Sequence, residues 1–471
     1  MTRESGVGSR ESGVVKAAIM SSVSRETIES LAQPLERANR EFSRRYPGES
    51  SRRQPVHTVY GGGHLFRSDT AQRMGAVALS ALEEYAPDGR SLASATGLDV
   101  DMAELVRARV AEKLQREPVE DFRIDFEDGY GNRPDDEEDG HVAGAAREVA
   151  RGLIAGTLPY FIGIRVKPLN QELRARSVRT LDAFLSSLLA ECSGKLPENL
   201  VITLPKVTIP EQTAFFSGLL EHIERNFGLA AGSLRFEIMV ETPQAVLGHD
   251  GAVALPAIVS AGRGRIMAAH FGTYDYTASI NITAGEQRMQ HPACSFALHA
   301  MQIALAGTGI WLSDGSTAIL PVPVNRAAEG GSGSRLLSAL QLQENLSGVH
   351  RAWRQHFDDV RNSLANGFYQ GWDLHPAQLV TRYAAIYSFF LSGLDAAAAR
   401  LRNFVEKAAQ ATLIGDVFDD AATGQGLLNF FLRATASGAI SENEVVARTG
   451  VTQDELRGRS FVAILRNRAG R

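Results

Sequence analysis

Charged side chains gather at one end of successive β-rich runs in this sequence, and their types set the chemistry to consider. Asp125, Glu127 and Asp128 close one run, Arg165 and Lys167 the next, Lys206 a third and Glu241 a fourth, while Asp275 follows a fifth. Any one of them is as readily half of a structural ion pair as a reacting group, but their shared location favours a site. Glu241 and Asp275 offer two oxygens to a hard divalent cation such as Mg²⁺ or Mn²⁺, which retains water and leaves positions for a chelating 2-oxo acid. Such an ion is a Lewis acid that stabilises the enolate formed when a carbon–carbon bond beside a carbonyl is made or broken. The planar fork of Arg165 suits a substrate carboxylate or the enolate oxygen, and it equally suits a buried pairing with Asp125 or Glu127. Lys206 opens a different route, a Schiff base with the carbonyl. His375, in Trp-Asp-Leu-His-Pro, reads as a turn cap before Pro376 in preference to a proton shuttle. No Gly-x-Ser-x-Gly is present, and Cys294 sits in a half-apolar helical stretch typical of packing.

These residues need a frame that brings strand ends together. Eight β-rich runs alternate with segments of helical period: His57 to Gly61, Phe122 to Phe126, Tyr160 to Val166, Leu200 to Leu204, Arg235 to Val240, Arg265 to His270, Gly309 to Leu312 and Gly371 to Leu374. That order predicts an α/β fold, a closed (β/α)₈ TIM barrel, whose reaction site lies at the carboxyl ends of the strands. No Gly-x-Gly-x-x-Gly follows the first strand, and Gly61-Gly-Gly-His64 lacks the Lys-Ser/Thr of a P-loop. Residues 1–22, rich in Ser, Gly and charge, are expected to form a flexible leader, residues 23–380 the barrel, and residues 381–471 an all-helical C-terminal extension. Glu329 to Arg335 reads as a flexible surface loop.

Composition narrows the function class. With 49 Lys and Arg against 54 Asp and Glu, the formal charge is −5, so no basic excess calls for nucleic acid or an anionic membrane and a small molecule is the expected partner. Two isolated cysteines, Cys192 and Cys294, allow neither a disulfide framework nor a paired-Cys zinc site. The N-terminal stretch lacks the basic start and apolar run of a signal peptide, and no apolar window reaches the roughly 20 residues of a membrane span. A cytoplasmic location is the expectation.

In order along the chain, the strand-end residues resemble the aldolase/citrate lyase family of metal-dependent carbon–carbon lyases, which includes citrate lyase beta subunits and malyl-CoA lyases. Asp125-Phe-Glu-Asp128 resembles its Asp-Leu-Glu-Asp, Arg165-Val-Lys-Pro168 its Arg-hydrophobic-Asn-Pro, Val240-Glu-Thr242 its metal-binding Glu-Thr, Gly272-Thr-Tyr-Asp-Tyr276 its Gly-x-x-Asp, and His375-Pro376-x-Gln378 its closing His-Pro-x-Gln; Leu204-Pro-Lys206 recurs unchanged. The resemblance spans roughly residues 57–380. It implies a phosphoenolpyruvate-binding-type barrel with Mg²⁺ on Glu241 and Asp275. It also implies catalytic roles among Arg165, Lys206, Asp125, Glu127 and Asp128, and substrate contacts from Arg165, Gly272, Thr273 and His375.

The implied activity is cleavage or formation of a bond to a 2-oxo or 2-hydroxy acid, some family members using CoA thioesters, so an acyl-CoA is a second candidate substrate. Malate synthases share a stretch similar to Gly272 to Tyr276 and a Trp-x-x-His-Pro similar to Trp372 to Pro376, which makes Claisen condensation the alternative; the position of their acidic base holds Tyr369 here. Lys167 replaces the family's Asn, and His141 stands where a Lys usually precedes Ala145-Ala-Arg147, departures that imply altered substrate selection. A non-catalytic metabolite-binding barrel is the remaining reading. The helical extension is expected to serve as a lid or as a contact in a homo-oligomer.

Overall fold

The computed structural model describes residues 22–50, 52–326, 337–406, 412–414, 417–419 and 421–469. The expected leader, apart from residue 22, and the expected Glu329 to Arg335 loop lie outside the described residues. The chain divides into two units, the first ending at Gly48 and the second running from Glu49 to Arg471. In the first, the helix Arg25–Arg45 is capped by Ser24, whose hydroxyl accepts the Thr27 N–H at 3.1 Å, and it buries none of its residues.

The second unit is a closed barrel of eight parallel strands: β1 His57–Gly62, β2 Asp121–Asp125, β3 Phe161–Arg165, β4 Leu200–Leu204, β5 Arg235–Val240, β6 Ile266–Phe271, β7 Trp311–Ser316 and β8 Gln370–Asp373. Pairing of β8 with β1, with His57 opposite Gly371 and Val59 opposite Asp373, closes the ring. Every residue of β2, β3 and β4 is buried, as expected of parallel strands covered by helices outside and packed side chains within. The eight predicted strands all form: each run is too short to continue the helical period beside it, and most are rich in β-branched or aromatic residues.

The barrel interior carries a charged layer at mid-height and an apolar cluster on one side of its amino end. Arg123 donates to Glu237 through Nε and Nη2, both at 2.9 Å, and also pairs with Asp121, while Thr203 bonds to the same Glu237 carboxylate. Phe161, Val201, Met267, Ala268 and Trp311 form a separate apolar plug below this layer. Gly163 is required where β3 meets β4, since a Cβ there would stand 1.6 Å from the Val201 carbonyl oxygen.

The expected barrel limits at 23 and 380 fall, respectively, in the first unit and within the helix Gln378–Glu406. That helix packs its first half on the barrel, and its Tyr383 hydroxyl donates to the Pro118 carbonyl at 3.0 Å. Its second half carries the later helices Ala421–Ala436, Glu442–Thr449, Gln453–Arg457 and Phe461–Ala469, with Phe390 against Phe430 and Phe404 against Phe461. One unbroken helical period thus serves the barrel and the extension, so sequence alone marks no boundary between them. The extension is not wholly helical as expected: Thr412–Ile414 and Val417–Asp419 pair as antiparallel β9 and β10, matching their β-branched and aromatic residues. Among the described residues, no helix is long and apolar enough to cross a membrane.

Candidate active site

Strand register assembles the site before any side chain is considered. Asp125 and Arg165 are direct partners at the carboxyl ends of β2 and β3. The Arg165 Nε donates to Asp125 Oδ1 at 2.7 Å and Nη2 to Oδ2 at 2.6 Å, a bidentate fork in a buried setting. Asp125 also accepts the backbone N–H groups of Glu127 and Gly129, at 2.9 and 2.7 Å. Four donors thus hold this carboxylate, and Gly129 is needed because a Cβ there would lie 2.5 Å from Asp125 Oδ2. Asp125 is therefore a clamp that orients Arg165. The third guanidinium nitrogen stands 3.1 Å from Glu127 Oε2, and the guanidinium lies 4.7 Å from the Tyr60 ring. Burial works against the Arg165 charge, but Asp125 and Glu127 raise its pKa further above the usual arginine value. Of the two readings of Arg165, the buried pairing is the one seen, with Asp125 and Glu127 both engaged.

Lys206 sits at the centre of the acidic residues. Its backbone has φ of 50°, the left-handed region that a side-chain-bearing residue seldom adopts, and in this pose its N–H donates to Glu241 Oε1 at 2.7 Å. Its ammonium donates to Glu127 Oε1 and, at 2.9 Å, to Asp128 Oδ2, and lies 3.5 Å from Asp275 Oδ2. Burial lowers the Lys206 pKa, yet the charges of Glu127 and Glu241 and its hydrogen bonds outweigh that and hold it above the usual lysine range. The same contacts, with Arg165, offset but do not overcome the burial that raises the Glu127 pKa, whereas Asp128, more exposed, is lowered by its bond to Lys206 despite partial burial.

Glu241, at the end of β5, is 1% exposed. Burial, together with the charges of Asp275 and Glu127 and against that of Lys206, pushes its carboxyl up to about 8. Gly272, expected to touch substrate, makes space for this residue: a Cβ would stand 2.4 Å from Glu241 Cβ and 2.5 Å from Oε2. Thr273 follows it, buried, with Oγ1 lacking a hydrogen-bond partner among the described residues. Asp275 lies in the first turn of the helix Thr273–Ser279. His375 is a turn element: its Nδ1 accepts the Ala377 N–H at 3.2 Å, and burial lowers its pKa. The adjacent Gln378 bridges loops, accepting from the Leu374 and His375 N–H groups and donating to the Thr317 and Ile319 carbonyls.

The departures noted in the sequence also find places. Lys167 turns away from the mouth to Glu138 and the Phe126 carbonyl, both at 2.7 Å, and His141 bonds Tyr130. Tyr369 precedes β8 at the amino end of the barrel, stacked on Phe390 and beneath Arg433, so it is remote from the strand ends that carry Arg165 and Glu241. Asp373 is a buried hub bonded to His57, His356 and Arg382.

Two residues not singled out as site candidates belong to this mouth. Tyr60 underlies Arg165, and its ring lies 4.8 Å from that of Trp372 at a 39° tilt; the buried Trp372 Nε1 has no partner among the described residues. Strand alternation in β1, which places Thr58 and Tyr60 on one face, was the available signal.

The arrangement tests whether a metal fits. Asp125, Glu127, Asp128, Glu241 and Asp275 are five carboxylates facing two cations, Arg165 and Lys206. Among the described residues no three acidic, His or Cys side chains form a ready cage. A pair of carboxylates, an all-oxygen donor set and surplus negative charge suit a Mg²⁺-like ion that keeps waters and substrate oxygens as its other ligands.

A family model described as "Domain of unknown function (DUF6986)" matches residues 35–464. No curated protein matches the sequence. Among solved structures, a citrate lyase from Burkholderia xenovorans LB400 aligns with a TM-score of 0.54 at 16% identity, covering 83% of this chain and 95% of that one. A Haloferax volcanii malate synthase in its magnesium/glyoxylate complex aligns with a TM-score of 0.45 at 15% identity over 87% and 99% of the chains. Mycobacterium tuberculosis CitE with magnesium, acetoacetate and coenzyme A gives 0.45 at 13% over 82% and 99%. The citrate lyase match shows a shared fold, in keeping with the motif resemblance.

Proposed function

The chain belongs to the DUF6986 family, a domain of unknown function, and we propose that it is a divalent-metal-dependent carbon–carbon lyase or aldolase acting on a 2-oxo or 2-hydroxy acid. The observation that carries this reading is the strand-end cluster in which buried Glu241, with Glu127, Asp128 and Asp275, surrounds Lys206, an excess of carboxylates over cations. Glu241 and Asp275 would hold the metal. When bound, the metal supplies Lewis-acid polarisation of a carbonyl oxygen.

The chain's own residues do the rest. Asp125 fixes the Arg165 fork in orientation, leaving its remaining N–H groups for a substrate carboxylate or the developing enolate oxygen. Tyr60 and Trp372 wall the site and restrict water beside the reacting carbons. The orphaned Trp372 Nε1 and Thr273 Oγ1 are poised for substrate oxygens, since a buried polar atom without a partner is costly until a ligand supplies one. Lys206, protonated by its acidic neighbours, is suited to neutralise an anionic substrate. It is ill-suited to Schiff-base chemistry, which needs a free amine and a lowered pKa. The Claisen alternative has no acidic base at Tyr369 to support it. Turnover of candidate 2-oxo and 2-hydroxy acids, with and without a CoA thioester and added Mg²⁺ or Mn²⁺, tests the proposal. Glu241→Gln is expected to abolish metal-stimulated turnover with the thermal unfolding midpoint retained; full activity in that variant overturns it.

A further inference from the structure

The opposite, amino end of the barrel carries a second feature that the proposed chemistry does not use. A cleft of about 480 Å³ opens there beside the apolar plug, with Phe161, Leu200 and Met267 at its floor. Two arginines reach into it from different elements: Arg235 from the start of β5, exposed, and Arg52 from the segment before β1, half-buried. Neither forms an ion pair with a carboxylate among the described residues; the Arg52 guanidinium donates to Asn199 Oδ1 at 3.2 Å and lies over the Trp311 ring at 5.7 Å. Burial and the nearby Arg235 charge both disfavour the Arg52 guanidinium, while Glu198 and Tyr160 offset this in part. Two like charges sharing a cleft with one carboxylate, Glu198, and with no ion pair to it are incompletely compensated, and an anion between them relieves the cost. The third arginine of the cleft, Arg53, is already neutralised by Glu117 and Glu120, and it packs over Tyr160 at 5.2 Å.

The remaining wall is equally specific in type. Tyr160 is 49% exposed and offers a ring to a planar group. Glu198 and Ser233 offer oxygens to hydroxyl donors. A phosphate for the arginine pair, an aromatic face for a base and a carboxylate for a sugar diol are the recognition elements of one ligand class.

We propose that this cleft, at the end of the barrel away from Arg165 and Glu241, binds a nucleoside phosphate between Arg52 and Arg235 with its base against Tyr160. The inference does not depend on the carbon–carbon lyase reading, because it shares no residue with that site.

The test is calorimetric titration of the full chain with ADP in the absence of divalent metal. One saturable site is expected. Arg235→Ala, an exposed position safe for folding, should weaken binding about tenfold or more, the size of one lost charge-assisted contact, and Tyr160→Ala should weaken it as well. Arg288→Ala, which removes an exposed charge elsewhere, should leave binding unchanged, as should Glu241→Gln. Because coenzyme A itself contains an adenosine diphosphate unit, ADP seated at the catalytic mouth would respond to Glu241→Gln and not to Arg235→Ala. That pattern overturns the proposal, and so does the lack of saturation at millimolar ADP or equal affinity in the Arg235 and Tyr160 variants.

Discussion

Replacing Lys206 by Met is expected to tighten divalent-metal binding, the reverse of what loss of a site residue usually does. The ammonium stands 3.5 Å from Asp275 Oδ2 and bonds Glu127 and Asp128. An ion that takes Asp275 Oδ2 at roughly 2.1 Å therefore lies no more than about 5.6 Å from that ammonium if the lysine stays in place. The repulsion between +2 and +1 at that separation is about 6 kcal/mol at an effective dielectric of 20 and about 1.5 kcal/mol in water. Lys206 is 28% and Asp275 41% exposed at the side chain, so the lower end applies. Roughly 1.5–3 kcal/mol corresponds to tenfold to hundredfold tighter binding. Removing the charge also leaves Glu127 and Asp128 less neutralised, which acts in the same direction. Titration of the metal-free protein with Mn²⁺, followed by electron paramagnetic resonance or calorimetry, reads the affinity directly. Lys206→Arg retains the charge and should remain near the unaltered protein. Equal or weaker Mn²⁺ binding in Lys206→Met would refute the placement of the ion beside Asp275, whatever happens to turnover.

Two other perturbations probe the frame around the site. Gly272→Ala forces a methyl group against Glu241 and is expected to cost about 1–3 kcal/mol of stability. Metal affinity should fall with it, because the displaced carboxylate is a proposed ligand; a lowered unfolding midpoint with unchanged Mn²⁺ affinity would separate Glu241 from the metal. His356, fully buried, has its pKa lowered chiefly by burial, with Asp373 and Asp359 opposing and Arg382 assisting, and it also bonds Thr381. The unfolded chain then binds this proton more readily than the folded one, so stability should decline as pH falls below about 6.5 and continue to do so down to the folded pKa. Asp373, burial notwithstanding, is held well below its usual range by Arg382 and the His356 bond, so its contribution is present above about 3.9 and lost only at more acid pH. Urea unfolding across pH 5 to 8 should show the histidine slope, and His356→Gln should flatten it.

The eight strands were legible because each is a short run bounded by helical period, most of them rich in β-branched or aromatic residues, a one-dimensional pattern that survives without any knowledge of neighbours. The charged strand ends were legible for a related reason: in a barrel of this type, residues that close parallel strands share one rim whatever their spacing in the chain. Pairing was a different matter. Asp125 and Glu127 sit two positions apart on the same stretch, yet Asp125 is consumed by Arg165 and two backbone donors while Glu127 divides itself between Arg165 and Lys206. Only strand register and the left-handed turn at Lys206 decide that division. Gly272 illustrates the same limit, since its motif suggests a substrate contact and its packing shows room made for Glu241.

The limits of the extension were hidden because the last barrel helix and the helices after it share one period, and a helix reads identically whether it faces strands or other helices. The arginines at the amino end of the barrel, Arg52 and Arg235, lie 183 positions apart by their numbering and carry no motif. Residue type and periodicity are local properties and can be read along the chain. Which charge meets which, and which are left without a partner, depends on distances through space that the folded barrel alone defines.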